Sequence, residues 1–257
     1  MNFSLKKTPS ANALRLLRQL DSDVELWARD LNSQRRAESF LQREVQVAPD
    51  IAMFMTGKLD DSVAEAHLQI IHARQDNAPV VGLVVNAHFN SWSSDLRMPL
   101  SDYFKAIVVR LASQGIHVML IAHDIRDWPG DIELIDRIVK DMGANPYVHK
   151  VVPSSARAAK ALISCLDLCI TSRMHAGVAA LSSGVPAIGL DYVDKFTGQF
   201  EWYGAESNVI PWLAAIDATV VLQMADAILT NVETERTMLV NSVSRLRAVS
   251  PKWVPRI

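Results

Sequence analysis

From residue 78 onward, short apolar runs alternate with amphipathic segments, and this alternation constrains the fold more than any other feature of the chain. The run at 79–85 is continuous and rich in β-branched residues, as is typical of a strand buried in a parallel sheet. Helical spacing follows at 100–113, and strand-like and helix-like segments then alternate to residue 210. The pattern predicts an α/β fold, a Rossmann-like parallel sheet with helices on both faces, joined by right-handed crossovers.

The flanking segments lack this alternation. Helical spacing at 11–20, 33–44 and 60–73 surrounds one short strand-like run at 24–28. Residues 217–248 form a long helical region that we expect to be broken once. The sheet therefore lies between two helix-rich segments.

Composition excludes several classes of protein. The 257 residues carry a net charge of −2, which gives no reason to expect nucleic acid or a membrane surface as partner. We find neither a transmembrane run nor a signal peptide, because Arg15 and Arg18 interrupt the N-terminal apolar residues. We expect a cytoplasmic protein whose two cysteines, Cys165 and Cys169, are buried structural thiols.

Polar and ionisable residues follow the predicted strands at their carboxyl ends. Ligands bind at this edge of open α/β sheets. At the amino ends of the predicted strands this chain has only turn residues, such as Pro79, Gly115 and Pro186. The strand ends supply Asn86 and His88, then His123 and Asp124, then Thr171 to His175, and finally Tyr192 and Lys195.

Arg173 and His175 form the most specific pair, because they stand between a strand and the first turn of a helix. A guanidinium at this turn can bind a phosphate or carboxylate, and the helix N-terminus favours the same anion. His175 can transfer a proton. The alternative is structural: Arg173 caps a neighbouring carbonyl, and His175 is a hydrogen-bonded buried histidine.

The other candidates are less specific. His123 could position substrate, and Asp124 could either do so or cap a turn. Asp124 and Asp127 are a weak candidate for a metal site, and no segment shows metal-ligand spacing, so we predict no metal. No Gly-x-Ser-x-Gly elbow indicates a serine hydrolase.

The order of these residues resembles the signature of the polysaccharide pyruvyl transferase family. The resemblance is specific from the Arg-x-His-Ala block at 173–176, through Gly-Val-Pro at 184–186, to Tyr192 and Lys195. It extends more loosely over residues 24–204 and includes an Arg-Asp-x-x-Ser turn at 29–33 and a Pro-Asp segment at 49–50.

The resemblance implies the C-terminal half of a two-domain, GT-B-like architecture. On this basis residues 1–76 are the remnant of an N-terminal domain with interdomain elements, most of that domain being absent. Residues 77–216 are the Rossmann-like C-terminal domain, and residues 217–257 are a C-terminal helical region.

The implied activity is transfer of a pyruvyl group from phosphoenolpyruvate to a sugar of a cell-surface polysaccharide or exopolysaccharide, forming a ketal without a further cofactor. Arg173 and His175 are then the catalytic residues. The implied substrate-binding residues are Ser172, Met174, Asn86, His88, His123, Tyr192 and Lys195.

One departure concerns the donor. Asn86, Ala87 and His88 stand where the family commonly has an arginine, so one anion ligand is missing unless His88 replaces it or the substrate differs. Two alternative functions remain. One is a GT-B nucleotide-sugar glycosyltransferase, for which Glu201 and Glu206 are weak candidates as the acidic residue of a base-and-ribose site. The other is a truncated, non-catalytic interaction domain. Besides the donor and the saccharide acceptor, the expected partners are either a second copy of the chain or other polysaccharide-synthesis proteins.

Overall fold

The structure, a computed structural model, describes residues 2–5, 9–88, 96, 98–125, 130–192 and 195–248. The strands are β1 (Asn2–Phe3), β2 (Trp27–Ala28), β3 (Gln46–Val47), β4 (Val80–Val84), β5 (His117–Ile121), β6 (Val148–Val151), β7 (Leu168–Thr171), β8 (Ala187–Asp191) and β9 (Val209–Pro211). The first helices are α1 (Ala11–Arg18), α2 (Leu31–Leu41), α3 (Asp61–Gln75), α4 (Leu100–Ser113), α5 (Asp131–Met142) and α6 (Ala156–Ile163). The later ones are α7 (Met174–Leu181), α8 (Phe196–Phe200), α9 (Trp212–Ala215), α10 (Ala218–Thr230) and α11 (Val232–Ala248). Single 3₁₀ turns lie at Ile51–Phe54, Glu201–Tyr203 and Glu206–Asn208.

The large sheet is parallel throughout and has the strand order β6-β5-β4-β7-β8-β9. The predicted Rossmann-like sheet is therefore confirmed. The chain leaves β4 toward one edge and returns to its other side with β7, so the strand order reverses between these two strands. A crevice opens at the carboxyl ends of the strands at such a point.

Helices cover both faces of the large sheet, as predicted. One face packs on α3, α6, α7, α8 and α11, and the other packs on α4, α5, α9 and α10. All five residues of β4 are buried, which agrees with the unbroken apolar run in the sequence. The C-terminal helical region is broken once, at Asn231.

A second, small parallel sheet has the order β1-β2-β3 and two residues in each strand. Its core contains Leu5, Leu26, Ala28, Ala37 and Val45. The sequence indicated only the region of β2, because strands of two residues carry no readable alternation.

The segment that follows β2 of the small sheet is bonded to α8 and to the 3₁₀ turn after it. The carbonyl of Arg29, directly after β2, accepts hydrogen bonds from Gln199 Nε2 at 2.9 Å and Trp202 Nε1 at 2.7 Å. Gly198 permits this approach, since a Cβ there would lie 2.7 Å from the Cβ of Asp30. The two sheets consequently meet near the residues that follow β2.

No helix in the described part of the chain combines the length and apolarity that crossing a membrane requires.

Candidate active site

The turn between β7 and α7 presents Arg173 and His175 at the carboxyl edge of the large sheet. Thr171, the last residue of β7, fixes this turn: its Oγ1 accepts from the Arg173 N–H and donates to the Arg173 carbonyl, both at 2.9 Å. Arg173 is the N-cap residue of α7, and His175 lies in its first turn. The predicted position of this pair, between a strand and the first turn of a helix, is therefore confirmed.

A buried aspartate that was not predicted as a site residue connects the segments at the same edge of the sheet. Asp131, at the start of α5, is fully buried. Its Oδ1 accepts from the Ala87 N–H at 3.0 Å, and its Oδ2 accepts from the N–H groups of His123 and Asp124 at 3.3 and 2.8 Å. One carboxylate thus joins the segments that follow β4 and β5. Its position in the first turn of α5 adds stabilisation by the helix dipole.

Arg173 is held by the same carboxylate. Its Nη2 donates to Asp131 Oδ1 at 2.6 Å, and its Nη1 lies 3.5 Å from Asp124 Oδ2. The Nε atom of Arg173 is buried and makes no hydrogen bond to a described residue. Arg173 is therefore fixed in place rather than extended into solvent, as a preorganised anion ligand should be.

The small sheet contributes an arginine and an aspartate to the environment of His175. Arg29 follows β2, and Asp50 begins the 3₁₀ turn after β3. Arg29 Nη1 lies 2.5 Å from Asp50 Oδ2 and 3.4 Å from His175 Nε2. Asp50 Oδ2 lies 3.5 Å from the same nitrogen. His175, half exposed, therefore stands where the carboxyl ends of both sheets meet.

The electrostatics of Asp50 follow from these neighbours. Burial raises the pKa of its carboxyl, but hydrogen bonds from His175 and the Ala52 N–H, with the charge of Arg29, outweigh it and lower the pKa to about 2. Asp50 is therefore ionised at neutral pH. A carboxylate beside an imidazole can orient the ring and stabilise its protonated form.

Asn86 is buried, and the surrounding protein uses its hydrogen-bonding groups. Its Nδ2 donates to Tyr192 Oη at 3.0 Å and to the Ser172 carbonyl at 3.4 Å, while its Oδ1 accepts from the His88 N–H at 3.0 Å. In this arrangement Asn86 positions Tyr192 and His88. Ser172 is also buried, and its hydroxyl donates to the Val84 carbonyl at 3.3 Å.

The remaining predicted residues surround this centre. His88 Nε2 lies 3.5 Å from Asp124 Oδ2. Burial, together with the charges of Arg173 and His175, lowers the pKa of His123. Met174 packs against the core on the α7 side, and the Lys195 N–H donates to Asp191 at the start of α8.

The metal hypothesis gains no support from the described residues. Asp124 pairs with Arg173 and His88, whereas Asp127 lies outside the described residues. Among the residues whose positions are given, no three His, Cys, Asp or Glu side chains are grouped as metal ligands.

Arg29, Asp50 and Asp131 contact the predicted residues but were not themselves predicted as site residues. The first two lie in the Arg-Asp-x-x-Ser and Pro-Asp segments, so the resemblance marked their segments but no role was assigned. Asp131 resembles an ordinary acidic residue in the first turn of a helix. The available signal was its position shortly after His123 and Asp124, which follow β5.

Solved structures with the same architecture define the class of the fold. The UDP-forming α,α-trehalose-phosphate synthase of Burkholderia xenovorans has a TM-score of 0.57 at 12% identity, over 95% of this chain and 64% of that one. The UDP-GlcNAc 2-epimerase of Neisseria meningitidis has a TM-score of 0.53 at 12% identity, over 90% of this chain and 63% of that one. The fold is therefore GT-B-like.

The family follows from the sequence. The family model for polysaccharide pyruvyl transferase matches residues 3–194, and the chain belongs to this family. No individual curated protein matches significantly. The chain spans less than two thirds of the length of the solved structures described above.

Proposed function

We propose that the chain transfers a pyruvyl group from phosphoenolpyruvate to two hydroxyls of a sugar, forming a ketal. The observation that carries the proposal is the contact of His175 with Arg29 and Asp50, which follow strands of the small sheet, at the helix start whose N-cap is Arg173. This arrangement combines a proton-transfer group with two guanidinium groups, which suits an anionic donor that must be protonated.

Arg29, which follows β2, supplies a second cationic group in place of the arginine that is absent after β4. Its Nε donates to Ser4 Oγ at 3.1 Å and its Nη1 pairs with Asp50, so the guanidinium is held rigidly beside His175. Arg29 and Arg173, together with the N-terminus of α7, can bind the carboxylate and phosphate of phosphoenolpyruvate. A donor with two anionic groups is therefore compatible with an asparagine at position 86.

In the first half of the proposed reaction, His175 as its imidazolium gives a proton to the methylene carbon of the donor. The neighbouring carbon becomes cationic and forms a bond to the oxygen of the first sugar hydroxyl, whose proton returns to an imidazole. In the second half the carbon–oxygen bond to phosphate breaks and inorganic phosphate leaves with the electron pair. The second hydroxyl then bonds to the same carbon and loses its proton.

The reaction releases a proton from each of two hydroxyls, and the site contains two Asp–His pairs that can accept them. Asp50 with His175 and Asp124 with His88 each place a carboxylate oxygen 3.5 Å from an imidazole Nε2. We assign the first pair to the methylene and the first hydroxyl. The second pair is suited to accept the proton of the second hydroxyl, and the carboxylate of each pair stabilises the imidazolium that forms.

Ketal formation is tested with the purified chain, phosphoenolpyruvate and methyl glycosides that carry a free 4,6-diol. Phosphate release is followed by ³¹P NMR and ketal formation by mass spectrometry. We expect His175→Gln to lower the rate by about 10²- to 10⁴-fold, the usual contribution of a positioned acid–base group. His72→Gln, on the exposed side of α3, is the matched control and should retain the wild-type rate.

Two results would contradict the proposal. Full activity of His175→Gln would contradict the role of His175 in proton transfer. Sugar transfer from UDP-glucose without any ketal from phosphoenolpyruvate would instead favour the nucleotide-sugar alternative.

A further inference from the structure

Lys160 is a buried cation that the proposed reaction does not use. The residue lies on α6, is 5% exposed, and makes three hydrogen bonds through its ammonium group. Its Nζ donates to the carbonyls of Ala52 and Met53 at 3.2 and 2.9 Å and to Ser182 Oγ at 2.9 Å. All three acceptors are neutral.

A buried charge with neutral partners is costly, because burial disfavours the charged form of the amine. Burial, and then the charge of Arg247 on α11, lower the pKa of Lys160 to about 8. An apolar side chain of similar length would avoid this cost. The position therefore calls for a reason other than stability.

The three acceptors connect Lys160 to both members of the Asp50–His175 pair. The Ala52 carbonyl bonds to Lys160, while the Ala52 N–H donates to Asp50 Oδ1 at 2.9 Å. The other oxygen of Asp50 faces His175. Ser182 is the C-cap residue of α7, whose first turn carries His175. The ammonium thus bonds at once to the 3₁₀ turn that begins at Asp50 and to the helix that carries His175.

We propose that Lys160 is a positioning residue that sets the register between the Asp50 turn and α7, and thereby the contact between Asp50 and His175. The ammonium has three donors, which match the three acceptors. The inference concerns the arrangement around His175 and does not depend on the substrate of the site.

Other contacts hold the same segment on α6, so the test variant should fold. The Lys58 N–H donates to the Arg157 carbonyl at 3.0 Å, and Arg157 Nε donates to the Thr56 carbonyl at 3.1 Å. Lys160→Met keeps an unbranched side chain of four atoms and removes only the ammonium group at its end. The lost charge and the lost donor change stability in opposite directions, so we expect the variant to unfold cooperatively in urea as the wild type does.

The test is the NMR signal of the His175 imidazole in protein with labelled histidine, recorded without substrate. We expect Lys160→Met to shift this signal in the same direction as Asp50→Asn, and the double variant to show no further shift. Lys140→Met, an exposed lysine on α5, is the control and should leave the signal unchanged.

A His175 signal that Asp50→Asn shifts but Lys160→Met leaves at its wild-type position would overturn the inference. If Lys160→Met does not fold, Ser182→Ala carries the test, since it removes one of the three acceptors. A smaller shift in the same direction is then expected, and no shift would equally refute the role of Lys160.

Discussion

Replacing Asp50 by asparagine tests the geometry around His175 through stability alone. Asparagine keeps the size of the side chain and removes the charge that faces Arg29 and His175. The pKa of the Asp50 carboxyl falls from 3.8 to about 2 on folding, because the hydrogen bond from His175, with those of its other neighbours, outweighs the effect of burial. A shift of this size corresponds to about 2 kcal/mol of stability at a pH where the carboxyl is ionised in both states.

The sign determines the pH window. The folded state holds the carboxyl proton less tightly than the unfolded state, so the contribution is complete above the unfolded pKa of 3.8 and is lost as pH falls through about 2. We therefore expect Asp50→Asn to lower the free energy of unfolding by about 2 kcal/mol near pH 5 and by only about 1 kcal/mol near pH 3.

Urea unfolding followed by circular dichroism measures both values. Asp76→Asn is the control, because Asp76 is exposed at the end of α3 and its side chain makes no hydrogen bond to the described residues. A destabilisation by Asp50→Asn that is the same at both pH values would refute the reasoning, since it would show that the carboxylate is not stabilised by its neighbours.

Three further predictions concern the supports of the site and the sheet. Asp131→Ala leaves the partly buried Arg173 without its closest partner and three backbone N–H groups without their acceptor, and it should cost about 3 to 5 kcal/mol in urea unfolding, whereas a loss below about 1 kcal/mol would contradict the central position of Asp131. Burial lowers the pKa of His149, in β6, so the unfolded state takes up the proton first as pH falls through the usual histidine range and the folded state loses stability. The wild-type melting temperature should therefore drop more than that of His149→Gln between about pH 7.5 and pH 5.5. Gly198→Ala places a Cβ 2.7 Å from that of Asp30 and should cost about 1 to 3 kcal/mol, with faster proteolysis in α2 as a second readout and unchanged proteolysis as the opposing result.

Sequence periodicity predicted the large sheet well, because its central strands β4, β7 and β8 are local apolar runs. The helix at Leu100–Ser113 has the predicted bounds, since its amphipathic spacing begins and ends clearly. The small sheet has no such signal. Two-residue strands are held by neighbours distant in the chain, and no local pattern reports that pairing.

The same distinction applies to the site. Arg173 and His175 could be placed from sequence because a strand, a turn and a helix start follow one another within a few residues. The partners of these side chains could not. Arg29 meets His175 across 146 positions of the chain, and Asp131 meets Arg173 across 42.

By itself, the sequence determined a parallel α/β sheet, the edge at which its candidate site residues lie, and the family to which the chain belongs. These properties depend on local periodicity and on a contiguous motif. Only the tertiary structure decided which carboxylate holds which cation, and that residues after β2 and β3 complete the surroundings of His175. Such pairing depends on distances between segments far apart in the chain, and these are set when the two sheets pack together.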